Sequence, residues 1–366
     1  MKKIGIDARL YSQTGVGTYL KNLIYYLEKK ELKDKLFYIY LMPEDYKNTY
    51  FKNKNIIKRK VNARWHTIGE QVGFAIKLYQ DNLDLMHFTY FSYPVFYFKK
   101  FIATVHDVTP LLFKTGKAST KNKFIYDLKH LFFRIIFWCQ VSRAMKIITP
   151  TKTVKKQIED TYGKKISKKI TPVYEGVNYQ LLKLKENKEL IKKFTNFFIY
   201  VGNFYPHKNV EKLIEAFKNI NKKYKLILIG PKDFFTARIL RCIDTSKQNK
   251  NILLLTNSSL TDLVFFYKNA LALIHPSLSE GFGLPLIEAA DFNCPIIASN
   301  IKVFKELLGN NYLSFDPNNT DAITEKINNF IEKKPQFDYE NIMKKYSFSK
   351  MTDETVKIYE EVLNGN

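Results

Sequence analysis

Two glutamates flank a glycine-containing turn in the stretch SEGFGLPLIEA, which covers residues 279–289. Glu280 comes before the turn, and Glu288 follows it eight positions later. Because proline is favoured in the first turn of a helix, Pro285 predicts a helix start, with Glu280 in the loop and Glu288 about one turn into the helix. Two carboxylates in this arrangement could ligate a metal ion, serve as an acid and a base, or accept hydrogen bonds from hydroxyl groups.

The composition of the turn favours hydroxyl groups and phosphate as ligands. Its glycines allow a ligand to approach the backbone amides closely, and the amides at a helix N-terminus attract phosphate. A carboxylate repels phosphate, but it accepts two hydrogen bonds from a vicinal diol. We therefore predict that each glutamate binds one of two sugar rings, with a diphosphate between them. The alternative is a capped surface helix whose acidic residues stabilise its positive end.

Short apolar segments alternate with helical patterns along the whole chain, and these elements must position the two carboxylates. In the second half the predicted strands are the runs FFIYVGN, YKLILIG, NILLLT, LALIHPS and PIIAS. Such alternation is typical of parallel sheets with crossover helices. A similar series in the first half predicts two doubly wound α/β domains, whose ligands bind at the carboxyl ends of the strands.

A polar, charged segment separates the two series and predicts a linker. We place the first domain at residues 1–177, the linker at 178–195 and the second domain at 196–345. The remaining residues, 346–366, have the pattern of a terminal helix.

The charge of the chain is unevenly distributed. The net charge is +24, and residues 1–180 carry 33 Lys and Arg against 14 Asp and Glu, which leaves 26 against 21 for the remainder. The first half is therefore expected to meet nucleic acid, anionic lipid or a phosphorylated substrate. The alternative is a compositional bias toward Lys, although such a bias does not explain the asymmetry.

The sequence disfavours a disulfide scaffold, a structural zinc site, a signal peptide and a membrane-spanning helix. Cys139, Cys242 and Cys294 are far apart, which argues against a disulfide scaffold or a structural zinc site and fits a reducing compartment. Asp7 and Arg9 interrupt any signal-peptide core. No run of about 18 apolar residues predicts a membrane-spanning helix.

The segment Ser119–Lys146 stands out in the first half. It predicts a long helix with large apolar residues over much of its surface and basic residues at both ends. Two interpretations remain open: a mostly buried helix of the first domain, or a helix that faces a membrane or a lipid-linked acceptor.

Several motifs together resemble a known family. The run ALALIHPSLSEGFGLPLIEAADFNCPIIAS resembles the Glu-x7-Glu signature of retaining glycosyltransferases of the GT-B fold, family 4. The segments GIDARLYSQTGVGTYLKNLI, TVHDVTPL, VYEGVN and YVGNFYPHKNVEKLIEAF resemble others of that family in the matching order. The resemblance covers nearly the whole chain. It implies two Rossmann-like α/β domains whose parallel sheets face across a cleft, with a C-terminal helix that returns toward the N-terminal domain.

The resemblance also implies roles for individual residues. Glu288 would bind the ribose hydroxyls of a nucleotide sugar, and Glu280 would contact the donor sugar. Lys208 would neutralise the departing diphosphate, since a fixed ammonium stabilises developing negative charge. His106, which follows the predicted strand FIATV, would accept a hydrogen bond from a hydroxyl of the transferred sugar. The implied catalytic residues are His106, Lys208 and Glu280, and the implied donor-binding residues are Gly15, Gly17, Asn203, His207, Lys208, Glu280, Gly281, Phe282, Gly283, Leu284 and Glu288.

The sequence departs from the family pattern at two places. Asn203 and His207 occupy positions where many relatives have a second cation, and His207 could replace that cation only when protonated. Asn293 stands where relatives usually have glycine, and we expect it to end the signature helix in a left-handed conformation, which asparagine tolerates.

The implied reaction is retaining transfer of a hexose, with mannose from GDP-mannose as the first expectation, to a saccharide or lipid-diphosphate-linked saccharide in surface polysaccharide or glycolipid assembly. No carboxylate is obviously placed as a nucleophile, so front-face attack is expected. We expect no metal and no cofactor besides the nucleotide-sugar co-substrate, because no Asp-x-Asp motif lies between apolar runs and the cationic loop can replace a divalent ion. The acceptor is expected at the basic first domain, on the cytoplasmic face of an anionic membrane, where each basic residue adds about 1 kcal/mol.

Two rival functions remain. A nucleotide-sugar epimerase could use the same fold and the same donor. A nucleic-acid-binding protein would account for the charge, but the sequence contains no recognised module for nucleic acid, so no such partner is expected.

Overall fold

The computed structural model describes four stretches of the chain: residues 1–32, 34–112, 123–245 and 250–365. These residues form two compact units. The first unit contains the described residues up to 175 together with the terminal segment 348–365, and the second contains the described residues from 176 to 347. Residues 178–195, for which we predict a linker, belong to the second unit and include two short 3-10 turns.

The first unit is built on a parallel sheet of seven strands. These are β1 Lys2–Asp7, β2 Lys35–Leu41, β3 Ile56–Lys60, β4 Leu85–Phe88, β5 Phe101–Thr104, β6 Ile147–Thr149 and β7 Ile170–Pro172. Their order in the sheet is β3-β2-β1-β4-β5-β6-β7, and all neighbours pair in parallel. Strands β4 and β5 are buried along their whole length, which explains why all their residues except His87 and Thr104 are apolar.

The second unit is built on a parallel sheet of six strands. These are β8 Phe197–Val201, β9 Lys225–Ile229, β10 Ile252–Leu255, β11 Leu273–His275, β12 Ile296–Ser299 and β13 Leu313–Phe315. Their order is β10-β9-β8-β11-β12-β13, again with parallel neighbours. The predicted pair of doubly wound α/β domains is confirmed.

Helices connect the strands, since parallel neighbours require crossover connections. Those that lie between strands are α1 Val16–Glu28, α2 Pro43–Asn48, α3 Ala75–Asp81, α4 Thr109–Leu112, α5 Lys123–Arg143, α6 Lys152–Tyr162, α7 Val210–Phe217, α8 Thr236–Asp244, α9 Leu260–Asn269, α10 Leu284–Asp291 and α11 Lys302–Leu308. Three more helices follow the last strand: α12 Thr320–Lys333, α13 Glu340–Lys345 and α14 Phe348–Asn364. The strand order reverses between β1 and β4 in the first sheet and between β8 and β11 in the second. Open α/β sheets bind ligands outside such switch points.

The terminal helix α14 packs against the first unit, as predicted. The Tyr359 hydroxyl lies 2.7 Å from Nδ1 of His87, and Nε2 of His87 lies 2.7 Å from the hydroxyl of Thr104. Burial lowers the pKa of His87 to about 3, so the ring is neutral and uses one nitrogen as donor and the other as acceptor. At the surface of α14, Lys35 forms an ion pair with Glu360 and Lys146 forms one with Glu361.

Helix α5 is buried on one side only. Phe137 and Val141 are fully buried, whereas Phe132 is 56% and Trp138 is 55% exposed. The interpretation of this segment as a mostly buried helix is therefore wrong for the described part of α5, while residues 119–122 lie outside the described residues. Within the described stretches, no helix combines the length and apolarity needed to cross a bilayer.

Candidate functional site

The glycine turn lies at the switch point of the second sheet, between β11 and α10. Gly283 is the N-cap of α10 and has a φ of 103°, a left-handed conformation that favours glycine. Glu280 lies in the loop and Glu288 is the fifth residue of the helix, as predicted. Asn293, just after α10, has a φ of 53°, so its predicted left-handed conformation is confirmed.

Glu280 is held by three side chains through one of its two oxygens. Its Oε1 accepts hydrogen bonds from Lys208 Nζ at 2.6 Å, Ser277 Oγ at 2.8 Å and His275 Nε2 at 3.0 Å. Burial by itself would raise the pKa of this carboxyl, but the charge of Lys208 and the hydrogen bond from His275 outweigh it and hold the pKa well below the usual range. Glu280 is therefore an anchored carboxylate, and its Oε2 carries no hydrogen bond from the described residues.

His275 and Ser277 were not predicted as site residues. His275 is 1% exposed and stacks on the ring of Tyr200. Burial lowers its pKa, so the neutral ring donates its Nε2 proton to Glu280. Both residues belong to the run LALIHPS, which does not by itself indicate a role for them. Their side chains reach Glu280 because the chain turns from β11 into the loop that contains it.

Lys208 ends the short turn Pro206–Lys208, which follows β8 at the switch point. Its side chain is 14% exposed, and Glu280 occupies one of the three directions in which an ammonium donates. The neighbouring His207 is a poor substitute for a second cation, because burial and then the charge of Lys208 lower its pKa to about 4. His207 is thus uncharged at neutral pH.

Asn203 lies between β8 and this turn. Its backbone oxygen accepts a hydrogen bond from the Tyr200 hydroxyl at 2.6 Å. Its side-chain Oδ1 is buried, and no described residue donates to it. A buried acceptor without a partner is costly and is commonly completed by water or a ligand.

Glu288 has a different environment from Glu280. It is 8% exposed, and the hydroxyl of buried Tyr267 donates to its Oε2 at 2.9 Å. Burial raises the pKa of Glu288 to about 7. Each signature glutamate is therefore anchored through one oxygen, which leaves the other available as an acceptor. Tyr267 was not predicted, since its place in α9 resembles that of any buried aromatic residue.

The remaining predicted donor-binding residues of the second unit surround the same turn. Phe282 is 5% exposed, and its ring edge meets Tyr346. Leu284 is the first residue of α10. The donor-binding residues predicted between Asn203 and Glu288 thus lie in the loops that follow β8 and β11 and at the start of α10, where Lys208 contacts Glu280.

His106 lies at the carboxyl end of β5 in the first unit. Its Nδ1 is 3.2 Å from Oε1 of Glu175, and its Nε2 is 3.1 Å from the carbonyl oxygen of Thr89. The ring edge of Tyr19 packs against it at 4.7 Å between centroids. Both nitrogens face oxygen acceptors, so the predicted role as an acceptor for a sugar hydroxyl requires one of these contacts to open. Glu175, in the motif VYEGVN, is a partner that sequence reasoning missed.

The predicted glycine loop of the first unit leads into α1. Gly15 is the N-cap, with a φ of 67°. A Cβ at Gly17 would lie 2.6 Å from the carbonyl oxygen of Tyr11, so a side chain does not fit there. The role of these glycines near a ligand remains a prediction.

A buried ion cluster lies at the end of β1. The guanidinium of Arg9 donates to Asp7 at 2.7 Å and to Glu70 at 2.6 Å, and its carbon lies 4.1 Å from the centroid of Phe74. Ser92 also donates to Glu70. This cluster, which sequence reasoning missed, secures the loops around the first switch point.

Metal ligation was one chemistry that the glutamate pair left open. Across the described residues, no group of three or more His, Cys, Asp and Glu side chains could hold a metal ion. The side chains that contact Glu280 and Glu288 are hydrogen-bond donors, and the oxygen that each contact leaves over fits a hydroxyl group.

Solved structures of similar fold include the sucrose-phosphate synthase of Thermosynechococcus elongatus, with a TM-score of 0.78, 15% identity and complete coverage of both chains. Another is Anabaena HepE in complex with UDP and glucose, with a TM-score of 0.75, 15% identity and coverage of 99% of this chain and 100% of the other. These identities show the fold alone. The fold is that of GT-B glycosyltransferases.

Sequence comparisons are more specific. Residues 183–350 match the family described as glycosyl transferases group 1. An uncharacterized glycosyltransferase of Methanocaldococcus jannaschii is 26% identical over 95% of both chains. The O-antigen chain mannosyltransferase RfbU of Salmonella typhimurium is 33% identical over 260 residues, which cover 69% of this chain and 71% of RfbU. On this similarity over most of both chains, the protein belongs to the group 1 family of glycosyl transferases.

Proposed function

We propose that this glycosyltransferase moves a hexose, with mannose as the first candidate, from a nucleotide sugar to a saccharide or lipid-linked saccharide during surface polysaccharide or glycolipid assembly. The observation that carries the proposal is the pair of anchored glutamates around the glycine turn, each with one oxygen left as an acceptor. RfbU and the WbdA proteins of Escherichia coli, 37–38% identical over 114 residues, are named mannosyltransferases, which supports mannose.

In this proposal the donor binds along the turn. Oε2 of Glu280 accepts from hydroxyls of the sugar, and Oε1 of Glu288 accepts from the ribose. The amides around Gly281, Phe282 and Gly283 meet the diphosphate at the start of α10. The unpaired Oδ1 of Asn203 is an acceptor, so it would take a hydrogen bond from a hydroxyl of the donor and not from the diphosphate.

Lys208 would supply the charge that departure of the nucleotide diphosphate requires. Its ammonium is fixed by Glu280 before substrate binds, so it stabilises the leaving group without reorganisation. This charge is the basis for proposing metal-independent transfer, and full turnover in the presence of a chelator is the expected result.

We propose retention by front-face attack, and the state of Glu280 supports this mechanism. A carboxylate held by an ammonium, an imidazole N–H and a hydroxyl is stabilised as an anion and is therefore a weak nucleophile. We infer that Glu280 orients the sugar while the leaving diphosphate assists the incoming hydroxyl.

The donor proposal is tested by a panel of nucleotide sugars. A ligand that binds the native state raises the unfolding free energy by mass action, by about 2.7 kcal/mol at a concentration of 100 times Kd. We expect GDP-mannose to raise the Tm more than UDP-glucose or UDP-galactose does. If no nucleotide sugar raises the Tm, the donor proposal is wrong. Incubation with the donor alone separates the epimerase, which changes the sugar, from a transferase, which at most hydrolyses it slowly.

The acceptor side of the proposal is an anionic membrane surface. The exposed side of α5, here called the α5 face, consists of Leu128, Leu131, Phe132, Ile135 and Trp138. Exposed Lys129 and Arg134 stand on the same helix. Nearby, Phe98 is 71% exposed and packs under the guanidinium of Arg143 at 4.7 Å. Apolar side chains interspersed with cations suit the headgroup region of an anionic bilayer, at which lipid-linked acceptors are presented.

Vesicle flotation tests this surface. We expect the protein to float with anionic vesicles at low salt and less well with neutral ones, because its cations contribute to binding. The double variant Phe132→Ser/Trp138→Ser should reduce flotation, whereas Phe234→Ser, which alters an exposed aromatic of the second unit, should not. If the protein does not float with anionic vesicles at low salt, the positive charge of its first half is a bias of composition and not a membrane-binding feature.

A further inference from the structure

The hydroxyl of Tyr267 is the side-chain hydrogen-bond donor to Glu288 among the described residues, at 2.9 Å. We propose that Tyr267 is a positioning residue for the nucleotide: it holds one oxygen of Glu288 so that the other is directed at the hydroxyls of the nucleoside. The inference rests on the donor site proposed above. It adds a residue outside the Glu-x7-Glu motif that determines the orientation of Glu288 in that site.

Tyr267 has little freedom to move. It is 0% exposed, and its ring stacks on Phe292 with a 10° angle between planes. Its helix α9 begins with a capping box in which Ser259 and Asp262 bond each other's backbone, and Asn187 donates to Asp262. A hydroxyl on so fixed a ring selects one rotamer of Glu288.

The same contact controls the charge of Glu288. Burial raises its pKa, the hydrogen bond from Tyr267 opposes that rise, and the charge of Asp291 on α10 adds to it. Cys294, in the loop after α10, is a neutral thiol in the physiological pH range, because burial raises its pKa to about 12. Among the described residues, Tyr267 on α9 lowers the pKa of Glu288 and Asp291 on α10 raises it.

The charge of Glu288 decides how it binds a diol. An ionised carboxylate accepts hydrogen bonds from both hydroxyls, whereas the protonated form must use one oxygen as a donor. Because the pKa in the free protein is about 7, nucleotide affinity should rise as the pH increases through 7. Loss of the Tyr267 hydroxyl should move that rise to higher pH, and loss of the Asp291 charge should move it lower.

The test measures the Kd of GDP and of UDP by calorimetry between pH 5.5 and 8.5. In Tyr267→Phe we expect the midpoint to rise by about one pH unit and the affinity at pH 7 to fall about tenfold. Asp291→Asn should shift the midpoint downward, and Tyr312→Phe, which removes a hydroxyl elsewhere in the same unit, should leave it unchanged. A midpoint that is the same in Tyr267→Phe and the wild type would overturn the proposal.

A ligand-free measurement separates this proposal from the donor proposal. The carboxyl carbon of Glu288, assigned with Glu288→Gln, is titrated by NMR in protein labelled on glutamate. The expected midpoints follow the same order, with Asp291→Asn lowest and Tyr267→Phe highest. If the order holds but neither nucleotide binds the wild type, the donor site is wrong and Tyr267 has no ligand to position. If nucleotide binds but the order fails, only the role of Tyr267 is wrong.

Discussion

Replacement of Lys208 by alanine is expected to lower kcat by about 10²- to 10³-fold, the usual effect of deleting a preorganised group that stabilises charge in the transition state. The ammonium is fixed 2.6 Å from Glu280 and is largely buried. His207 cannot take over, because its pKa is lowered to about 4. Steady-state transfer at saturating donor measures kcat, and single-turnover transfer shows whether the chemical step is the one that slows.

The matched control for this variant is Lys212→Ala. Lys212 lies four residues away, and its Nζ bonds the carbonyl oxygen of Asn318. It should retain turnover close to the wild-type value. Near-normal kcat in Lys208→Ala would show that another cation neutralises the diphosphate. Thermal unfolding of both variants checks that each keeps a stable fold, so that a change in turnover is not caused by misfolding.

Replacement of Glu288 by alanine is expected to weaken nucleotide-sugar binding by about 10- to 100-fold, the equivalent of one charged hydrogen-bonding group. The measurement is the Kd of the donor at pH 8, where a carboxyl with a pKa of about 7 is mostly ionised. At pH 6 the difference from the wild type should shrink, because the wild-type carboxyl is then mostly protonated.

Glu325→Ala provides the comparison for Glu288→Ala. Glu325 is a solvent-exposed carboxylate of the same unit, so donor affinity should not change when it is removed. Unchanged donor affinity in Glu288→Ala as well would exclude Glu288 from ribose binding. Glu288→Gln should fall between the wild type and the alanine variant, since an amide still accepts one hydrogen bond from a hydroxyl.

Much of the fold follows from local sequence patterns. The apolar runs between helical segments predict parallel strands because buried strands need apolar residues on both faces. Glycine and proline mark the start of α10, and Asn293 marks its end, because each constrains the backbone locally. Strand ends then place Lys208 and Glu280 at one edge of the second sheet.

The half-exposed state of α5 was harder to predict. Its apolar residues outnumber those that one buried side can accommodate, and only packing selects Phe137 and Val141 for the core while Trp138 remains exposed. Periodicity describes which residues share a face of a helix, but not which face meets another element.

The sequence by itself established two parallel α/β domains, the glycine turn with its two glutamates, and the family to which these motifs belong. Tertiary structure alone determined how each glutamate is held. Lys208 and Tyr267 lie 72 and 21 residues from the glutamates they contact, and Glu175 lies 69 residues from His106. Local patterns constrain the backbone, whereas the partner of a carboxyl oxygen, and hence its charge and direction, depends on packing between elements distant in the chain.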